Sequence, residues 1–196
     1  MTSSSNPLLE RGLDAVIMVY SLLDGHPASG TCEQFIRTHS GWFTTTLTLL
    51  ETKAVLTKVY GVDSSLATQK LSQFAAGPIA ILSIDVATVL SAMHTADSLR
   101  VDLTDAALLQ AVQAQGATRL TTDDRALARA CREMGITPEN PIDADLRQEM
   151  VVWEADNLPT RGLPRFLRQL YQWLHRHYPE VAQDFWSQTG GGSHLP

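Results

Sequence analysis

Four acidic residues, Asp14, Glu51, Asp105 and Asp124, stand where a chain of alternating strands and helices can gather carboxylates. Asp14 ends a strand-like run, Glu51 lies about one turn into the helix after another, and Asp105 opens a helix. Asp123 and Asp124 follow a third strand-like run and open the next helix. Ligand sites of open α/β sheets lie at the carboxyl ends of the strands, so these side chains can converge across the chain. Clustered carboxylates repel one another unless a cation neutralises them. Hard oxygen donors suit Mg2+ or Mn2+ and do not select zinc. A metal held this way turns a water into a nucleophile and stabilises charge on a phosphodiester in transit. By residue type alone the pattern is generic. Asp14 also reads as a helix cap, and Asp105 and Asp124 as helix-start acids favoured by the dipole. Glu51, among Leu47, Leu50, Ala54 and Val55, is harder to assign to solvent, because an acid beside an apolar helical stripe needs a partner.

The elements that must position these acids follow from residue patterning. Residues 12–14 read as a short strand, with a helix starting almost at once and ending at Asp24-Gly25-His26-Pro27. A second helix is expected over 29–38. The β-prone run Trp42–Thr46 leads into Leu47–Tyr60, whose apolar residues recur at helical spacing. Asp63 can cap a helix over 64–75, and the apolar run Ile79–Ile84 has the length of a buried parallel strand. A helix to about Ser98 follows. Thr104 is expected to cap a helix over Asp105–Gln115, which Gly116 closes. Residues 117–121 read as a strand and Asp124–Met134 as a helix stopped by Gly135. This repeated alternation predicts an α/β domain whose parallel sheet is covered on both faces.

Read in order, Leu13-Asp14, Thr46-Leu47-Thr48-Leu49-Leu50-Glu51, Leu103-Thr104-Asp105-Ala106-Ala107-Leu108-Leu109 and Leu120-Thr121-Thr122-Asp123-Asp124-Arg125-Ala126-Leu127 resemble the four motifs of the PIN-domain family. The similarity extends to Gly135-Ile136, which looks like the family's turn into its last strand. The resemblance implies a three-layer α/β/α fold with a central parallel sheet. It also implies a metal-dependent endoribonuclease that leaves a 5′-phosphate and a 3′-hydroxyl, akin to toxin–antitoxin ribonucleases. Carried over residue by residue, Asp14, Glu51, Asp105 and Asp124 match the metal-binding acids, with Asp123 as a neighbour able to reach the metal through water. Thr122 would be the hydroxyl that orients the site. One departure concerns the residues after the first aspartate, where many members have a small hydroxyl residue and then Asn and this chain has Ala15 and Val16. That departure keeps a second reading open, a catalytically degenerate module that binds RNA or a protein partner. A phosphoaspartyl hydrolase would want a second aspartate where Val16 stands. A response regulator would want an acidic pair beside the first strand and a lysine near the last.

The bulk composition constrains these readings. The chain has 196 residues, 44% hydrophobic and 18% charged, with net charge −6. Acidity argues against a sequence-independent nucleic-acid binder unless the acids are concentrated in a metal site. Cys32 and Cys131 have no metal-type spacing and are too few for a disulfide framework, so a reduced, cytoplasmic setting is expected. No membrane-spanning run or signal-like segment is visible. His26, His39 and His94 are scattered, and His175 and His177 sit two apart on a helix, so no zinc set is expected.

The composition shifts near residue 140. The expected organisation is a lead-in over 1–9, a PIN-like domain over 10–140, a C-terminal helical extension over 141–187 and a Gly-rich tail over 188–196. In the extension, Leu163, Phe166, Leu167, Leu170 and Leu174 form an apolar stripe. Arg161, Arg165, Arg168 and Arg176 fall on other faces, where they either face water or contact RNA phosphates. Trp173 and Trp186 read either as packing residues or as surfaces for base stacking. The expected partners are RNA, an antitoxin-like protein and a second copy of the chain.

Overall fold

The aromatic and β-branched run Trp42–Thr45 supplies one central strand, and Gly12 in another lets a helix approach closely. The computed structural model describes residues 8–158 and 165–188. In the first part, β1 (Arg11–Leu13) leads into α1 (Ala15–Leu22) and α2 (Ser29–Thr38). Then come β2 (Trp42–Thr45), α3 (Thr46–Lys58), α4 (Ser64–Ala75), β3 (Ala80–Leu82) and α5 (Val86–Leu99). After these, α6 (Leu103–Ala114), β4 (Arg119–Thr121), α7 (Arg125–Glu133), β5 (Thr137–Glu139) and α8 (Ala144–Asn157) follow. The strands form one five-stranded sheet in the order β3-β2-β1-β4-β5. Every neighbouring pair is parallel, with Gly12 facing both Phe43 of β2 and Leu120 of β4. Parallel strands need crossover helices, and these cover the sheet.

The three central strands β1, β2 and β4 are largely buried, whereas β3 at one edge is only half-buried. Their interior side chains join a core of Phe43, Leu108, Leu109, Val112, Leu120 and Leu127. Helix α6 lies against β1 and β2. Gly12 makes this possible, because a Cβ there would meet Val112 Cγ2 of α6 at 2.8 Å. Gly135, at φ 73°, takes the left-handed conformation that ends α7 and turns the chain into β5. The buried Arg11 guanidinium, from the start of β1, bonds both carboxylate oxygens of Glu139 at the end of β5 and lies 5.8 Å from the centre of the Trp42 ring. A buried cation thus has a carboxylate partner.

Helix starts depart from the sequence expectation at one place. Thr104 does not cap α6; it lies inside the helix, and Asp102 occupies the cap position without a side-chain hydrogen bond. The helix therefore begins two residues earlier than Thr104 suggested, which puts Asp105 in its first turn.

The chain divides into two compact units, residues 1–146 and 147–196. The acidic stretch 139–157 straddles that division. Within the second unit, α9 (Arg165–His177) packs on α10 (Pro179–Gln188). Arg161, Leu163 and the tail glycines lie outside the described residues. Among those described, no helix is long and apolar enough to cross a membrane.

Candidate active site

The strand order decides where the acids meet. From β1 the chain moves outward through β2 to β3, then returns to the other side of β1 for β4 and β5. The carboxyl ends of β1 and β4 flank the switch point of this topology, where open α/β sheets form their crevice. Asp14 follows β1 directly, and Thr122-Asp123-Asp124 follows β4. Glu51 comes from α3, which starts where β2 ends, and Asp105 from the first turn of α6.

Asp14 caps α1, is only 5% exposed, and accepts a 2.5 Å hydrogen bond from the Ala15 N–H. Its other oxygen accepts the Thr122 hydroxyl at 2.7 Å. The same Thr122 oxygen accepts the Asp124 N–H at 2.9 Å. One buried hydroxyl therefore ties the end of β1 to the start of α7. Asp124 in turn caps α7, its Oδ1 accepting the Leu127 N–H at 2.8 Å.

Asp14, Glu51 and Asp105 feel the charge of neighbouring acids. Burial is the main cause that pushes the Asp14 carboxyl up to about 7, and the charges of Glu51 and Asp124 push the same way. The hydrogen bonds from Thr122 and Ala15 favour the ionised form and oppose the rise. Asp105 is pushed up to about 8, again chiefly by burial, then by the charges of Asp14, Glu51, Asp124 and Asp102. Glu51 is raised by burial and by Asp102 and Asp124, while the Thr104 hydroxyl favours its ionised form. Carboxyls that hold protons near neutral pH, crowded by like charge, match what a divalent cation replaces when it binds. The donor set is all oxygen, which fits Mg2+ or Mn2+. Among the described residues, no three Asp, Glu, His or Cys side chains are drawn together tightly enough to hold a metal ion as they stand. The acids are coupled at the longer range of their electrostatic field.

Asp123 takes a different direction. It is half-buried, accepts a 2.8 Å hydrogen bond from Asn140 Nδ2, and its charge helps raise the Cys32 thiol. Both buried thiols, Cys32 and Cys131, are pushed up to about 12, mainly by burial, and are unreactive as thiolates.

Two neighbours of the site escaped the sequence reading. Asp102 adds its charge to Glu51 and Asp105. Thr104 serves Glu51 rather than a helix end. The signal was available, since Asp102 and Asp105 are three apart at a helix start and share a face. The surroundings of Glu51 also differ from the expected apolar stripe. Leu50 is 67% exposed, and the buried face of α3 is Thr48, Thr52 and Leu56. Glu51 adjoins this hydroxyl-rich face, where Thr45 caps the helix through the Thr48 N–H.

The basic residues of the extension lie in the second unit. The side chain of Arg176 is exposed, while those of Arg161, Arg165 and Arg168 fall outside the described set.

Three comparisons bear on this arrangement. A family model described as PIN domain matches residues 13–133. The fold is similar to the crystal structure of VapC20 of Mycobacterium tuberculosis, a sarcin-ricin loop cleaving toxin. The TM-score is 0.55 at 14% identity, over 62% of this chain and 95% of that one. It is also similar to PAE2754 from Pyrobaculum aerophilum, with a TM-score of 0.50 at 18% identity, over 75% of this chain and 98% of that one. No curated protein sequence matches the chain.

Proposed function

The chain belongs to the PIN-domain family, and from that premise we propose that it is a metal-dependent endoribonuclease. The observation that carries this reading is the Thr122 hydroxyl that joins the Asp14 carboxylate to the Asp124 N–H at the switch point of the sheet, with Glu51 and Asp124 near enough for their charges to raise Asp14 and Asp105. Asp14 is buried and Glu51 and Asp105 half-buried, and folded proteins seldom crowd such carboxyls unless something uses them. Asp14, Glu51, Asp105 and Asp124 would hold Mg2+ or Mn2+, with Asp123 turned to Asn140. When bound, the cation supplies a water of lowered pKa and a positive charge opposite the phosphodiester.

The rest is the work of the chain. Asp14 is oriented by two hydrogen bonds, so its carboxylate needs little rearrangement. Thr122 holds Asp14 and Asp124 in one frame. Asp124 is anchored by one oxygen to the helix start. Asp14 and Asp105 release their protons on ligation. Water adds to phosphorus and the bond to the 3′ oxygen breaks, giving a 5′-phosphate and a 3′-hydroxyl as the family resemblance implies. Partners of the same reading are RNA, an antitoxin-like protein and a second copy of the chain.

One observation favours a second reading. Val16, half-buried on α1, replaces the polar residue many relatives carry there. A module without that helper would bind RNA or a protein and not cut. Incubation of mixed RNA with wild type and Asp14→Asn, with Mn2+ and with chelator, separates the two. Cleavage is expected only for wild type with metal. Identical products from both proteins would show that the assigned site is wrong.

A further inference from the structure

Two consecutive threonines end β2, and the pleat turns their side chains to opposite faces of the sheet. Both are fully buried. A buried hydroxyl costs stability unless it is hydrogen-bonded, and valine has the same shape without that cost. Each of these hydroxyls is bonded, and each bond lies at the root of one acid of the site. Thr45 caps α3, the helix of Glu51, its oxygen accepting the Thr48 N–H at 3.1 Å. Thr44 donates to the Leu13 carbonyl at 2.8 Å, from β2 to the end of β1.

The Leu13 carbonyl and the Asp14 N–H belong to one peptide group, and in a trans peptide they point to opposite sides of the strand. The N–H donates to the Thr121 carbonyl of β4 at 3.1 Å. The peptide plane from which Asp14 departs is thus gripped from both flanks, by a main-chain acceptor on β4 and by a side-chain donor on β2. The side-chain bond comes where the ladders part. β1 pairs with β4 as far as Leu13↔Thr121, but with β2 only as far as Gly12↔Phe43. Thr44 carries the β2 contact one residue further, to the last peptide before the acid. The Asp14 Cα adjoins this plane, so a tilt of the plane turns the Asp14 Cβ and the carboxylate with it.

We propose that Thr44 is a positioning residue of the acidic site: its hydroxyl fixes the Leu13–Asp14 peptide and thereby the direction in which the Asp14 carboxylate is presented. This deepens the ribonuclease reading and rests on it for the cation that Asp14 would meet, though not for the hydrogen bond itself. Fully buried, Thr44 acts through Asp14 and takes no part in bond cleavage.

Two measurements on the full chain test it. The first is amide exchange by NMR in metal-free protein. Thr44→Val should speed exchange of the Asp14 N–H by roughly five- to tenfold, as for loss of one buried hydrogen bond. The Ala67 N–H, bonded to the Asp63 carbonyl on α4, should keep its rate. The second is a Mn2+ titration followed by electron paramagnetic resonance, without RNA. Thr44→Val is expected to weaken Mn2+ binding about tenfold, the lower end of the range for groups behind metal ligands. Thr44→Ser should stay close to wild type in both measurements. Thr44→Ala gives the same comparison should the valine variant not fold. Leu71→Ala, buried on α4, should lower the melting temperature and leave Mn2+ affinity unchanged. Unchanged Mn2+ affinity in a folded Thr44→Val variant would overturn the proposal. So would equal acceleration of exchange at Asp14 and Ala67, or a Thr44→Ser variant as impaired as Thr44→Val, which would assign the effect to packing. The metal reading fails separately, if wild type binds no Mn2+, and amide exchange at Asp14 then decides the role of Thr44.

Discussion

Thr122 is the residue at which the geometry of the site is most concentrated. Its hydroxyl donates to Asp14 and accepts from the Asp124 N–H, so it fixes a carboxylate and a helix start with one atom. Removing it would leave a buried carboxylate short of a donor. Thr122→Val is therefore expected to lower cleavage by about tenfold or more, as for groups that orient metal ligands, with Thr122→Ser close to wild type. The Asp123–Asp124 pair gives a second test. Consecutive residues project differently, and here Asp124 adds to the field on the other acids while Asp123 bonds Asn140. Asn caps a helix about as well as Asp, so Asp124→Asn keeps the helix start and removes only the charge. It should abolish cleavage, whereas Asp123→Asn retains a measurable fraction. The reverse ranking in a single-turnover assay would move the site by one residue.

At the scale of elements, the placement of Asp105 depends on how closely α6 approaches β1. That approach exists because Gly12 has no side chain, the nearest α6 atom being 2.8 Å from where a Cβ would stand. Gly12→Ala forces Val112, and with it α6, away from the sheet. Overpacking of this kind costs about 1–3 kcal/mol, read by urea denaturation. Because Asp105 rides on the same helix, activity should fall more than the lost stability alone explains. Full activity in a folded Gly12→Ala variant would show that α6 tolerates displacement. The expected cap at Thr104 misplaced the start of this helix because a hydroxyl before an acid matches a cap pattern. Here Asp102, two residues earlier, takes the cap position.

For the whole molecule, the acidic site should make stability depend on pH and on the proposed metal. The folded-state values of Asp14 and Asp105 rise from 3.8 to about 7 and about 8. A group whose folded value is raised holds its proton more tightly in the native state. Its favourable contribution is therefore complete below the unfolded value and is lost as pH climbs through the folded one. Metal-free protein should melt at a lower temperature near pH 8.5 than near pH 5 by differential scanning fluorimetry. Asp105→Asn should raise the melting temperature in chelator at the alkaline end and flatten the slope, because one of the repelling charges is gone. Mn2+ should stabilise wild type at the alkaline end and do less for the variant. A clear fall in melting temperature for metal-free Asp105→Asn would count against a crowded site.

Much of this was written locally in the chain. The alternation of strands and helices, the caps at Asp14, Asp63 and Asp124 and the stop at Gly135 depend on neighbours a few residues apart, and such signals survive in a sequence. Resemblance over four short motifs then proposed a set of acids, and in the fold the charges of Glu51 and Asp124 reach Asp14. What the sequence left open concerns residues distant along the chain. Strand order alone puts the end of β1 beside the end of β4, 108 positions apart at Asp14 and Thr122. The turning of Asp123 to Asn140 and the exposure of Leu50 are likewise outcomes of packing. Periodicity marks which residues share a helix face, but only the neighbouring element decides whether that face is buried. Tertiary structure therefore settled the partners and burial of each acid, because charge coupling and desolvation depend on distance in space.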